Sequence, residues 1–257
     1  MGIPESPALV RVSDAPVGPP YYPRGRLPRA TSGLLFDMGD VLYDATLWRR
    51  WLLRVLSRLG LHTNYRSFYH VWDHDFLDDV HRGHREFSEA FGAFLRSVGL
   101  SAGQIDEVEA ACQTRRDQWE QTARLLPGVK TTLAKLHVSG VVMGVLSDSQ
   151  HPAGVLVERL RRLGVDDCFK AVVSSIDLEQ IKPDPVCYRT VLEAMGRPAE
   201  QVAFVGHDTE ELAGAAKAGL STIAFNYDPD AKADVFLARF EELLQLVGPA
   251  SPQPGSG

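Results

Sequence analysis

The sequence predicts an α/β protein, a doubly wound parallel sheet with a helical domain inserted after its first strand. Three features of the chain point there. After Pro127-Gly128, short apolar runs at 141–146, 171–173, 202–205 and 222–225 alternate with helix-sized amphipathic stretches, the texture of parallel strands joined by crossover helices. One more apolar run, Leu34-Leu35-Phe36, lies far upstream and stops at Asp37. Between them, from Asp44 to about Arg124, the periodicity is helical and no strand-like run occurs.

Taken in order, residues 1 to 32 contain seven prolines (Pro4, Pro7, Pro16, Pro19, Pro20, Pro23 and Pro28) and no sustained periodicity. They read as a disordered tail, as do residues 248 to 257. Residues 33–43 supply the first strand and its loop. Residues 44–124 form the helical insertion, opened by the stripe Leu47, Trp48, Trp51, Leu52, Val55, Leu56 and Leu59 with Gly60 as its stop. Further helices are expected at 87–98 and 105–126. The α/β core is then completed by residues 125–247.

Composition narrows the function. With 257 residues and 44% apolar content the chain can bury a core and a second, smaller one. A formal charge of -6 and the lack of a Lys/Arg run argue against nucleic acid as partner and leave small molecules. Cys112, Cys168 and Cys187 stand far apart, so neither a disulfide framework nor a cysteine zinc site is suggested, which fits a cytoplasmic protein. The apolar stretches are strand-sized and no signal peptide is recognisable, so no membrane partner is expected. Met1 to Ser6 matches the spacing of a myristoylation signal, but Pro4 and Glu5 suit it poorly. A monomer or a homodimer is expected.

In a doubly wound sheet, ligands bind beyond the carboxyl ends of the strands. Those ends carry Asp37 in LLFDMGDVL, Ser147 in VLSDSQ, Lys182 in IKPDP, and His207 with Asp208 in FVGHDTEEL. A carboxylate, a hydroxyl, a cation and a second carboxylate on one rim suit phosphoryl transfer through an enzyme carboxylate: nucleophile, oxygen donors, fixed positive charge and a metal-holding acid.

These four blocks, in this order and with an insertion of this size after the first, resemble the haloacid dehalogenase-like hydrolases, many of which are phosphatases with a helical cap. The resemblance spans nearly all of Leu34 to Val247. It implies that Asp37 is a nucleophile forming an aspartyl-phosphate on a small phosphorylated metabolite. Ser147 and the neighbouring Asp148 would form the phosphate cradle, with Lys182 neutralising the nucleophile and the transferring group. Asp37, the backbone carbonyl of Gly39 and Asp208 would hold Mg²⁺, a choice that suits hard oxygen donors. Glu211 would be an outer partner of that site.

Two positions depart from the pattern. Family phosphatases usually carry a second aspartate two residues after the nucleophile as general acid and base, and Gly39 stands there, with Asp40 adjacent. Members acting on glucose 1-phosphate share such a Phe-Asp-x-Gly block. His207 takes a place where an acid is more common, as a base, a proton donor or a hydrogen-bonded rim histidine. Dehalogenases of the family also lack the second aspartate but carry an aromatic residue in place of Gly39. A phosphatase is therefore favoured, with a catalytically weak binding protein or a 2-haloacid dehalogenase-type hydrolase as alternatives.

Within the insertion His70, His74, Asp78 and His81 share helical spacing, open to a metal site. A polar helix face is favoured because Asp73, Asp75 and Asp79 charge the whole segment. The stretch from His81 to Ser88 resembles a cap turn of the family, from which His81, Arg82, His84 or Arg85 would reach a substrate's distal end. Trp48, Trp51, Phe68, Tyr69 and Trp72 are expected to form cap core rather than a stacking platform.

Overall fold

The computed structural model describes residues 24–28, 30–61 and 65–247. The two tails beyond them, with the Met1–Ser6 motif, lie outside the described residues. The strands are β1 (Arg24–Gly25), β2 (Gly33–Phe36), β3 (Val142–Ser147), β4 (Ala171–Ser174), β5 (Val202–Gly206), β6 (Ser221–Phe225) and β7 (Val235–Leu237). They form one sheet in the order β1-β7-β6-β5-β2-β3-β4, parallel except for β1, which runs antiparallel to β7.

The central strand β2 explains the unbroken apolar run in the sequence: all four of its residues are buried, as happens where a parallel sheet is covered on both faces. Side chains alternate between those faces. Leu34 and Phe36 join Met143, Val145, Ala203, Val205 and Ile223 under the helices α6 (Val129–Val138), α7 (Ala153–Leu163) and α11 (Leu243–Leu246). Leu35 joins Leu146, Val202 and Phe204 on the opposite face, under α9 (Pro185–Met195) and α10 (Thr209–Lys217).

The insertion comprises α1 (Thr46–Arg58), α2 (Tyr65–Trp72), a π-helical turn at Asp73–Leu77, α3 (Asp78–His81), α4 (Phe87–Ser97) and α5 (Ala102–Thr122). It packs around its own apolar centre, which includes Leu52, Leu56, Phe68, Trp72, Phe91, Phe94 and Val108. Helix α5 starts earlier than its periodicity suggests because Ser101 and Gln104 form a capping box, with the Ser101 N–H donating to Gln104 Oε1 at 3.0 Å. It ends where Ala123 turns extended, and Leu125 then bridges Tyr43 antiparallel, so the two connections to the sheet run side by side.

Two strands were absent from the sequence reading. Arg24–Gly25 falls within the stretch read as tail, yet it pairs with Val235 and Phe236 at the sheet edge. Both β1 and β7 are too short, at two and three residues, to show the alternation by which a strand is recognised.

Candidate active site

Asp37 is the first residue beyond β2, which lies between β3 and β5, the point where strand order reverses and a crevice opens. Its N–H donates to the Val205 carbonyl at 3.0 Å, so the sheet ladder itself fixes where the carboxylate starts. That carboxylate is buried, and Lys182 Nζ donates to Asp37 Oδ1 at 2.6 Å and to Glu211 Oε2 at 2.9 Å. Burial works against the charge on Lys182, but Asp37 and then Glu211 hold its pKa well above the ordinary value. Burial pushes Glu211 well above the carboxylate range, against the pull of Lys182.

Close helix packing brings Glu211 to the lysine. A Cβ on Gly214 in α10 would collide with the Cβ of Pro183, next to Lys182, and come within 3.0 Å of Tyr188 Oη. Gly214→Ala is expected to cost about 1–3 kcal/mol by overpacking, read as a lower urea midpoint. The same variant should lose activity, because the shift falls on the turn that carries Lys182.

The other expected residues have definite places. Ser147 ends β3, buried, and lines the same cavity as Asp37. Asp148 lines the cavity too; its Oδ1 accepts the Lys182 N–H at 3.1 Å, and burial raises its pKa to about 6 against the opposing charge of Lys182. Asp208 caps α10, with Oδ1 accepting from the N–H groups of Glu210 and Glu211 at 2.8 and 2.9 Å. His207 Nε2 lies 3.5 Å from Asp37 Oδ2.

Asp40 has a positive φ of 54° and lines the cavity, and its Oδ1 accepts the Ala45 N–H at 2.8 Å at the entrance to α1. Burial raises its pKa, with His207 and Arg49 opposing. Gly39 lines the cavity beside it.

The cavity measures about 770 Å³ and lies between sheet and insertion. Its sheet side is lined by Asp37, Ser147, Lys182, His207, Asp208 and Glu211, and its insertion side by Trp48, Arg49, Asp73, His81, Arg82 and Arg116. Burial, followed by the nearby cations Arg49, Lys182 and Arg82, pushes the His81 imidazole down to about 3, so it is neutral at ordinary pH. Of the turn residues considered from the sequence, His81 and Arg82 reach the cavity. His84 and Arg85 do not line it, and Arg85 instead pairs with Glu89 at 3.1 Å. The His70 and His74 rings meet at 4.6 Å, and among the described residues no group of three or more His, Cys, Asp or Glu is placed to hold a metal.

Sequence reading passed over Arg49, Tyr43 and Arg159. Arg49 Nη2 donates to Asp73 Oδ1 at 3.0 Å and its guanidinium lies over the Tyr69 ring. Arg159 Nη1 donates to Tyr43 Oη at 3.0 Å, and both line the cavity. Arg159 left a signal: it is a charge set between Leu156 and Leu160 on the buried stripe of α7. Arg49 left none, because the stripe of α1 accounts for its neighbours and not for it.

A family model described as haloacid dehalogenase-like hydrolase matches residues 31–219. A phosphoglycolate phosphatase from Yersinia pestis is 29% identical over 161 residues, which is 57% of this chain and 68% of that enzyme. In a Pseudomonas fluorescens enzyme of the same name the matched share falls to 48% of its length. A solved structure of a predicted phosphoglycolate phosphatase from Haemophilus somnus superposes with a TM-score of 0.60 at 18% identity, covering 84% of this chain and 97% of that one. A 2-haloacid dehalogenase from Pseudomonas syringae gives 0.55 at 20% identity, again over 84% and 97%. At such identities these two structures speak to the fold, whose neighbours include both chemistries.

Proposed function

The chain belongs to the haloacid dehalogenase-like hydrolases, and from that premise we propose that it is a Mg²⁺-dependent phosphatase acting on a small phosphomonoester through a phosphorylated Asp37. The observation that carries this reading is the buried ammonium of Lys182 held between Asp37 and Glu211. It sets a fixed positive charge against the nucleophilic carboxylate where water is scarce, next to a cavity large enough for a metabolite. An Asp37 oxygen attacks phosphorus, the bond from phosphorus to the ester oxygen breaks, and that oxygen leaves with the electron pair. Water then releases phosphate and restores the carboxylate. Lys182 offsets charge in both steps, and the Ser147 hydroxyl with the amides that follow it receives the phosphoryl oxygens.

Asp37, the Gly39 carbonyl and Asp208 would hold the metal. The donors fit: all are hard oxygens, and Asp208 uses Oδ1 for the α10 amides while Oδ2 has no protein partner among the described residues. Bound there, Mg²⁺ supplies positive charge to the phosphoryl oxygens. Two carboxylates are enough for an ion that retains several waters.

The leaving oxygen is the weak point of the mechanism. With Gly39 in place of the second aspartate and the Asp40 carboxylate engaged at Ala45, general acid catalysis worth ~10²- to 10⁴-fold is reduced. Arg49, Arg82 and Arg116 line the insertion side, the first two paired with Asp73 and Asp78, and a substrate with an anionic distal group would share those cations with them. Phosphoglycolate, named in the relatives, is the first to try. We further propose a cytoplasmic site of action, in keeping with three free cysteines, and a monomer or homodimer.

The test is phosphate release from an aryl phosphate, an acyl phosphate, phosphoglycolate and several sugar phosphates, with Mg²⁺ or with EDTA. Expected is Mg²⁺-dependent turnover that favours good leaving groups. No turnover on any member, together with thermal stabilisation by beryllium fluoride and Mg²⁺, would reassign the chain to a binding role.

A further inference from the structure

We infer that Ser175 is a positioning residue that ties the helical insertion to the phosphate-holding loop, so that the insertion closes as the site fills. The coupling rests on the phosphoryl site proposed above, whereas the tie itself does not. Ser175 opens α8 (Ser175–Leu178), directly after β4, and its side chain is fully buried. Its hydroxyl donates to the His81 carbonyl in the insertion at 2.8 Å and accepts the Ser149 N–H at 2.9 Å. One hydroxyl thus uses its single proton on one side of the cavity and a lone pair on the other.

Both ends of this relay lead to the chemistry. Ser149 lies two residues beyond Ser147, and its own hydroxyl accepts the His151 N–H at 3.0 Å while Ser174 Oγ donates to the His151 carbonyl at 2.7 Å. The loop from 147 to 151 is therefore pinned by consecutive serines of one strand end, and the second of them reaches across to the insertion. On the far side, His81 ends α3 and its ring lines the cavity with Asp37. Two residues later Gly83 adopts a φ of 76°, and a Cβ there would sit 3.0 Å from Ile176 Cγ1, so bare backbone rests on the residue after Ser175.

A phosphoryl group that engages Ser147 and the following amides restrains this loop. Through the Ser149 N–H and the Ser175 hydroxyl the same restraint falls on His81, favouring the closed arrangement by differential binding. The contact is separate from the Tyr43 and Leu125 connections, so it governs seating of the insertion and not its attachment.

Amide hydrogen exchange tests the tie without substrate. The amides of Arg82, Gly83 and His84 bond within the insertion to the carbonyls of Asp78, Val80 and Asp79. In ligand-free Ser175→Ala they are expected to exchange roughly three- to tenfold faster, as the loss of one buried hydrogen bond implies, while Phe91 to Leu95 in the insertion's own core keep their rates. Unchanged rates at 82–84 overturn the inference. If Ser175→Ala does not fold, Gly83→Ala disturbs the contact from the exposed side and carries the same expectation.

Orthovanadate with Mg²⁺ then tests the coupling. It should slow exchange at 82–84 in the native chain and leave the variant unprotected. Vanadate binding, seen as a thermal shift, without protection in the native chain overturns the coupling. Absence of any binding refutes the phosphatase reading instead, and the ligand-free comparison still decides the tie.

Discussion

Asp37→Asn is expected to abolish phosphate release, by on the order of 10⁴-fold or more, the scale on which removing a nucleophile acts. Its effect on stability should be small and of unusual sign. Lys182 is shared by two carboxylates, so replacing one of them does not leave the buried cation alone. The amide would keep the shape of the side chain while leaving Lys182 paired with Glu211 at 2.9 Å. The Coulomb conflict between Asp37 and Glu211, which helps to raise the Glu211 pKa, disappears. Thermal unfolding followed by circular dichroism should therefore place the variant at or above the native chain while the phosphate assay reads zero. A residue retained for function at a cost to stability is what such a pairing would reveal. A variant that keeps its turnover would remove Asp37 from the chemistry altogether.

Lys182→Met produces the opposite pairing of effects, with activity and stability lost together. Asp37 and Glu211 would face each other, buried, without a cation, and breaking a buried ion pair in this way costs about 3–5 kcal/mol. The pH dependence has a definite sign. Lys182 lowers the Glu211 pKa in the native chain, so its removal raises the folded-state pKa of Glu211 further above the unfolded value of about 4.3. A carboxyl with a raised folded pKa favours folding while protonated and loses that contribution as the pH climbs through the folded value. The deficit of the variant should thus be largest at pH 8 and shrink toward pH 5, as measured by urea midpoints at both. Adding Glu211→Gln to the variant should recover part of the loss at pH 8 and little at pH 5. A deficit independent of pH would show that the lysine acts through packing.

The sequence revealed most about what is long and periodic, or short and strictly ordered along the chain. Strands β2 to β6 are legible because each contains an apolar run, and β2 is legible even at four residues because parallel sheets bury both faces. Strands β1 and β7 are not, since pairing at a sheet edge demands no pattern of two or three residues. Among site residues, Asp37, His207 and Asp208 are legible because they follow strands and Ser147 because it ends one, whereas Lys182 lies beyond α8 and is legible through its IKPDP block alone. What they touch was harder to foresee. Glu211, expected as an outer partner of the metal site, grips Lys182, a contact set by how closely α10 approaches Pro183. Asp148, expected in the phosphate cradle, also accepts the Lys182 N–H, a contact between residues 34 positions apart that no local pattern announces. Ser175 was invisible, being a small polar residue whose two partners lie 26 and 94 positions away.

The separate apolar centre of the insertion, built from residues between Leu52 and Cys112, bears on how such a protein diversifies. Because those side chains satisfy one another, substitutions that reshape the cavity roof at Arg49, His81 or Arg116 need not be compensated beneath Asp37. The two adjoining connections at Tyr43 and Leu125 also give a graft two neighbouring seams. Exchanging residues 44–124 for the equivalent stretch of a relative should transplant selectivity while leaving the reaction in place, with Ser175 and Ile176 as the surface to which any incoming roof would have to be fitted.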